Sequence, residues 1–263
     1  MIEKLLTHLR DDKCDYGASL DAVEEELKKA QQSPDESYAN LLWAVRNIVN
    51  IHHEYVNTYH ILEKEEYYKA WCNAEKVEIC CKNLSRNFPD FFLLVKDIYE
   101  CIINLQRLYP YQLFSSYAII IKKEKCSICG KIRSLRNDCG HRRGYVYNGE
   151  MCCNIVEECE LKSIDIVDNP LHKYAVLFTV DKNQERRDNY DYSLVKGLMQ
   201  YWKRPFQHWR YSIKNVHKPV TDFPGLADNS MCPCASGKKY YECCKTDPEG
   251  IKHKVFIFHV QPI

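Results

Sequence analysis

The stretch MCPCASGKKYYECCK, residues 231–245, constrains the fold more than any other part of the chain. Four cysteines, Cys232, Cys234, Cys243 and Cys244, fall within thirteen positions around a basic, aromatic middle. So short a segment has no room for an apolar core of its own, and something other than burial has to fix it. A disulfide clasp, a reactive thiol cluster and a metal site are the three readings. The chain carries 15 cysteines, an odd number that cannot all pair internally. Its opening residues, MIEKLLTHLRDDK, spread charge through the segment and have no apolar centre of the secretory type. A reducing, cytoplasmic setting is therefore expected, and there clustered cysteines point to metal more than to disulfides.

Charge divides the chain. Residues 1–121 hold 13 Lys and Arg against 19 Asp and Glu, a balance of −6. The remaining residues hold 24 against 17, a balance of +7, which gives the net +1 of the whole. Both cysteine clusters lie in the basic part. Without a run of 18 apolar residues, no membrane helix is expected.

The acidic part has helical periodicity. In residues 36–60, Tyr38, Leu41, Leu42, Val45, Ile48, Val49, His52, Val56 and Tyr59 fall on one stripe, with Ser33 or Asp35 as the cap. A second stripe over about 62–85 runs through Tyr67, Ala70, Trp71, Ala74, Val77, Cys81 and Leu84. A third follows Asn87-Phe-Pro-Asp90 and uses Phe91, Leu94, Val95, Ile98, Ile102 and Leu105, and a shorter helix covers roughly 19–31. Together they predict a helical bundle over residues 1–121. Arg46, Asn47 and the histidines that follow resemble the ribonuclease motif of HEPN domains, which implies action on RNA phosphodiesters. Residues seven apart nearly eclipse on a helix, so Arg46 and His53 share a polar line while His52 falls on the apolar stripe. The catalytic pair, if the helix carries one, is Arg46 with His53. A solvated polar face accounts for the same residues.

The basic part opens with a second cluster, KCSICGKIRSLRNDCGHRRGYVYNGEMCC. Cys126 and Cys129 form a Cys-x-x-Cys knuckle followed by Gly130, and Cys139-Gly140-His141 offers a second pair. Three thiolates and an imidazole make a complete tetrahedral shell and select zinc over magnesium or calcium. Cys152 and Cys153 compete with His141 for the fourth place. A closed shell predicts a structural rather than a catalytic ion. Residues 126–170, from CSICG through CGHRRGYVYNG to IDIVDNP, resemble a zinc-bearing element of some bacterial and phage-associated proteins. Gly140 stands where that element has an acidic residue. Lys122, Lys123, Lys125, Lys131, Arg133, Arg136, Arg142 and Arg143 crowd a short window, and of these Lys131, Arg133, Arg136, Arg142 and Arg143 are candidate partner-binding residues, suited to phosphates or to an acidic protein surface.

Downstream, residues 117–123 read as a short buried strand or helix end, and SIDIVDNPLHKYAVLFTVDK as two strands around an Asn-Pro turn. Residues 190–215 read as a helix interrupted at Pro205 and then resumed. KPVTDFPGLADNS reads as a linker. The segment CPCASGKKYYECC is similar to the SEC-C zinc motif, found at the tail of the SecA translocation motor and in many otherwise unrelated bacterial proteins. The resemblance covers about 15 residues; Ala235 replaces the usual glycine, and Cys244 stands where the family has His or Cys. It implies Cys232, Cys234, Cys243 and Cys244 as ligands, and a binding rather than catalytic role, since the motor's tail contacts a chaperone and the ribosome. The spacing agrees, with eight residues between the cysteine pairs to form the returning turn. Lys238, Lys239, Tyr240 and Tyr241 would then form an exposed binding surface. The final KHKVFIFHVQPI reads as a strand that pairs back onto a sheet or onto a partner.

The expected architecture is α+β: a helical bundle (1–121), a zinc-knuckle α+β domain (122–218), and a linker with a SEC-C module and terminal strand (219–263). The expected function is that of an interaction protein with two structural zinc ions, offering basic and aromatic surfaces to a protein or nucleic-acid partner. A bacterial stress or phage-defence role fits the resemblances. The alternative is a metal-independent endoribonuclease using Arg46 and His53.

Overall fold

The computed structural model describes residues 2–11, 13–134, 136, 138–234 and 236–261. Ala235 lies outside them. The fold is α+β and separates into two compact units, Met1–Met199 with Lys203–Phe206, and Gln200–Trp202 with Gln207–Ile263. No helix among the described residues is long and apolar enough to cross a membrane.

The first unit starts with helices α1 (Ile2–His8), α2 (Tyr16–Ala30), α3 (Glu36–Glu63), α4 (Tyr67–Asn87), α5 (Pro89–Phe92) and α6 (Lys96–Gln106). Asp15 and Asp35 cap α2 and α3, their side chains accepting from the N–H groups of Ala18 and Ser37. The cap satisfies donors that the first helical turn cannot satisfy itself. The 28-residue α3 is the central element. Leu42, Val45, Ile48 and Val49 are wholly buried on it, and Ala70, Ala74, Val77, Cys81 and Leu84 of α4 and Ile98, Ile102 and Leu105 of α6 are buried as well. The apolar stripes read from the sequence are thus the buried faces, except at Tyr38 and Leu94, which are exposed.

Two acidic residues, Glu75 and Glu78, enter the buried arc of α4. Glu75 accepts from the backbone N–H groups of Lys173 and Tyr174, at 2.6 and 2.8 Å. Glu78 receives Lys173 Nζ at 2.5 Å and Lys82 Nζ at 2.6 Å. Trp71 Nε1 and Tyr68 OH donate to the carbonyls of Lys173 and Tyr174. The loop at 172–174 is therefore clamped to the bundle from both sides of its peptide groups. Burial alone would raise the Glu78 carboxyl, but the Lys173 and Lys82 ammonium groups hold it below its ordinary value. A carboxylate depressed in the folded state stabilises the fold above its unfolded value near 4.3 and loses that contribution as pH falls through the lower, folded value. Glu78→Gln is expected to flatten the acid limb of thermal stability below about pH 4. Melting curves of both proteins from pH 3 to 7 check this, and parallel acid limbs would refute it.

Strands β1 (Phe114–Cys126) and β4 (Asn154–Val167) form a long antiparallel ribbon. Between them lies a small hairpin, β2 (Val146–Tyr147) and β3 (Glu150–Met151). The segment 117–123 is therefore part of a thirteen-residue strand, and an exposed one, not a short buried piece. Tyr117, Ile121, Leu161, Ile164 and Ile166 stay exposed along it. The lysines that make this region basic in sequence are paired across the ribbon: Lys122 with Glu160, and Lys123 and Lys125 with Glu157. Beyond β4 the expected second strand shrinks to a Phe114–Val176 bridge and the pair β5 (Thr179–Val180) and β6 (Arg186–Arg187). Arg186 fills a slot between the Phe178 and Tyr68 rings, 3.4 and 4.1 Å from their centres. Helix α7 (Ser193–Met199) completes the unit.

The second unit is built on β7 (Trp209–Lys218) and β8 (Ile251–Val260), paired antiparallel over ten residues without a register shift. The helix expected to resume after Pro205 is thus a strand. Trp209, Tyr211 and Ile213 alternate with period two and lie opposite Val260, Phe258 and Phe256, a pairing that supplies the partner a local helical reading omits. The terminal strand pairs back within the chain.

Candidate metal centres at the ribbon ends

Each long ribbon is interrupted by a loop that carries one cysteine cluster. In the first, Cys126 is the last residue of β1 and Cys152 precedes β4 by two residues. In the second, all four cysteines lie between β7 and β8. All fifteen cysteines are free of disulfides.

In the first cluster the ligand atoms of Cys126, Cys129, Cys139 and His141 lie within 4.8 Å of one another. The knuckle closes by a turn in which Gly130 N–H donates to the Cys126 carbonyl at 2.9 Å, while Cys126 N–H donates to Lys131. Gly130 has φ +72°, which favours glycine there. Burial opposes ionisation of Cys126, yet the N–H groups of Cys129 and Ile128 outweigh it and bring the thiol down to about 6. The His141 ring packs edge-on against Tyr147 at 4.7 Å. Its Nδ1 is buried with no hydrogen-bond partner, a state that suits a metal-facing nitrogen.

Cys152 approaches the same cluster. It is fully buried, and its Sγ lies 3.7 Å from that of Cys126. Arg133 turns inward, its Nη2 donating to Cys152 Sγ at 3.2 Å and to the His141 carbonyl at 3.0 Å. Arg133 is thus committed to the cluster, which corrects its assignment to a partner-facing surface. Lys131, Arg136, Arg142 and Arg143 are exposed. Cys153, the other competitor for His141, points outward and is exposed.

The hairpin turn of β2 and β3 ties this cluster to the helices. Asn148 and Gly149 both have positive φ, +46° and +75°, the conformation of a two-residue type I′ turn. Gln31 and Asn148 exchange side-chain to carbonyl hydrogen bonds, and Gly149 N–H donates to Asn40 Oδ1 at 2.8 Å. Asn87 bonds Gly144 and Val146.

In the second cluster Cys232, Cys234, Cys243 and Cys244 place their sulfurs within 4.8 Å of one another. The Cys234–Cys243 and Cys243–Cys244 sulfur separations are 3.4 and 3.8 Å. A tetrahedron with Zn–S bonds of 2.3 Å has edges of about 3.8 Å, so the sulfurs already lie near zinc-site spacing. Burial raises Cys234, but Ser236 and the thiols of Cys232 and Cys243 outweigh it and lower the group to about 6. Cys244 is pushed up to about 12, by burial and by the same thiols. In the absence of a cation, Cys234 ionises at the expense of Cys244. A divalent cation removes that conflict. Tyr240 corrects an expectation: it is buried and packs with Cys232, Cys244 and Ile251, so it belongs to the small core under the cluster and not to an exposed surface. Lys238, Lys239 and Tyr241 are exposed.

A third group, His217, Asp247 and Glu249, also lies close together. Lys252 Nζ sits 3.4 Å from Asp247 there, and His217 Nδ1 is 2.8 Å from Glu249, so the group is already an ion-pair network. On α3, Arg46 lines a groove of about 270 Å³ with Leu20, Glu24, Trp43, Asn47 and Asn50. His53 stacks on Tyr16, ring centres 5.5 Å apart, and His52 is buried with Nδ1 2.9 Å from the Ile48 carbonyl.

The fold and its clusters define an α+β, cysteine-rich protein with two four-donor groups able to hold metal ions. The chain is similar to a UPF0225 protein of Photorhabdus laumondii subsp. laumondii, 33% identical over 73 residues, which are 27% of this chain and 40% of that protein. The chain thus spans about two fifths of that relative's length. No protein-family model and no solved structure matches it.

Proposed function

We propose that the protein is a zinc-stabilised interaction protein whose ribbon ends hold cationic and aromatic side chains out to a partner. One observation carries this reading: each cluster supplies four protein donors to one point, with at least three sulfurs and no carboxylate. That donor set suits zinc and leaves no coordination position for substrate. Cys126, Cys129, Cys139 and His141 would hold one ion, and Cys232, Cys234, Cys243 and Cys244 the other, the second set in agreement with the SEC-C resemblance. Elemental analysis is expected to find two zinc per chain, and one or none removes the reading.

Exposed Lys131, Arg136, Arg142 and Arg143 around the first cluster, and Lys238, Lys239 and Tyr241 around the second, support the partner role. The exposed apolar residues of the β1–β4 ribbon favour a protein as that partner, since such surfaces mark interaction sites. Nucleic acid is the second class of partner, supported by the same cations. A salt titration with a single-stranded RNA oligomer separates the two. If RNA is the partner, reversing Arg142 and Arg143 to Glu weakens binding, lowers the salt slope by about two, and leaves the zinc content unchanged. Absence of binding at low salt leaves a protein partner. RNA cleavage that disappears in Arg46→Ala and His53→Ala would replace both with the endoribonuclease reading.

A further inference from the structure

Beside the four donors of the first cluster lies a further thiol, Cys152, against Cys126. We propose that Cys152 is a fifth donor to this site and replaces His141 in the shell, so that the metal stays bound while its ligand changes. The proposal rests on the zinc reading of the cluster.

Three observations carry it. Cys152 Sγ is 3.7 Å from Cys126 Sγ, the edge length of a zinc–thiolate tetrahedron to within about 0.1 Å. That distance is set by backbone pairing. Cys126 ends β1 opposite Asn154, Cys152 N–H donates to the Tyr145 carbonyl at 2.8 Å, and Gly144 N–H donates to the Cys152 carbonyl at 2.7 Å. The sulfur is therefore held at the site whether or not it is a ligand. By contrast, His141 stands on the loop between the knuckle and the β2–β3 hairpin, its ring resting on Tyr147 and its Nδ1 buried without a hydrogen-bond partner.

Arg133 joins the two competitors. One nitrogen, Nη2, donates to Cys152 Sγ and to the His141 carbonyl. Three thiolates and an imidazole around a divalent ion sum to −1, and four thiolates sum to −2. The guanidinium beside Cys152 offsets the added charge when sulfur enters, and its bond to the His141 carbonyl keeps the displaced residue nearby. Arg133 is a positioning residue in this scheme; besides the exchange of metal–ligand bonds, the S–H bond of the entering Cys152 breaks and its proton passes to solvent, while the displaced imidazole leaves as the neutral base.

X-ray absorption at the zinc edge of the full chain tests the exchange, read together with zinc content. His141→Ala is expected to keep two zinc per chain and to lose the imidazole signal, leaving an all-sulfur average shell. Cys152→Ser is expected to keep two zinc and the imidazole. The double variant is expected to lose one zinc, with affinity at that site falling by more than about 100-fold, beyond the usual cost of losing an outer-shell partner. His141→Asn serves as a second variant should the alanine fail to fold. Loss of one zinc in both single His141 variants, with two retained by the wild type, overturns the exchange and leaves the zinc reading standing. Nitrogen or oxygen replacing the imidazole in His141→Ala also overturns it. Fewer than two zinc in the wild type overturns both.

Discussion

Chelation of zinc, or Cys232→Ser or Cys244→Ser, is expected to unfold residues 207–260 and to leave the helices of the first unit folded. Apart from Trp202 and Trp209, whose rings meet with centres 5.7 Å apart, the described residues of the second unit bury little beyond the cysteine cluster. Its buried cluster consists of Cys232, Tyr240, Cys244 and Ile251, flanked by the half-buried Phe223 and Leu226. Two of those four buried residues are the ligands themselves. The β7–β8 ribbon is two-stranded, and an isolated two-stranded ribbon is marginal in water. Metal binding supplies on the order of 10–16 kcal/mol in small zinc peptides, more than the whole stability of many domains. Limited proteolysis with and without chelator reads the outcome: new cuts within 207–260 and an intact helical fragment. A second unit that stays protected after zinc is gone would overturn the expectation.

Gly149→Ala is expected to destabilise the first unit by roughly 3 kcal/mol, from left-handed strain and overpacking together. Its φ is +75°, and an added Cβ would lie 2.5 Å from Leu27 Cδ1 and 3.1 Å from the Ala39 carbonyl oxygen. Leu27 is buried in the cluster with Val23, Leu42 and Val45, so it has little room to retreat. For a unit of this size the loss corresponds to a melting temperature lower by about 6–12 °C. Gly130→Ala is the matched comparison, since its φ is +72° but nothing lies within 4 Å of its added Cβ. Strain alone should cost about 1–2 kcal/mol there. Equal losses in the two variants would show that the hairpin turn does not press on the helices.

The helical stripes were legible because each is a local repeat that ends as a buried face. The two sets of four donors were legible for a similar reason: Cys-x-x-Cys, Cys-x-His and the SEC-C spacing are short, and the turns that bring them together lie within them. Pairings across distance were not. Lys122, Lys123 and Lys125 read as a basic patch until β4 places Glu157 and Glu160 opposite them. Arg133 read as one more surface cation, and nothing in its neighbours says that it turns toward a sulfur nineteen residues away. Tyr240 sits in a polar run, and only the fold of the cluster makes it core. Glu75 and Glu78 sit beside Ala74 and Val77 on the buried side of α4, so two acids inside an apolar arc were the available sign of a clamp whose other half is Lys173. β7 was missed because its aromatic and cationic residues also satisfy a helical repeat over a few turns, and the strand that decides the matter begins 33 residues later, at Ile251.

The order of β7, the cysteine loop and β8 along the chain has a consequence for synthesis. Val260 at the end of β8 follows Cys244 by 16 residues, about 1–3 s of translation at 5–20 residues per second. A hairpin of this kind closes in about 1–10 μs once both strands are present. The four thiols are therefore complete as a set before the ribbon can zip, and an ion captured in that interval turns a 32-residue gap between strands into a short, closed one. Metal supply during translation, and not only in the finished protein, would then decide what fraction of newly made chains reaches the folded second unit.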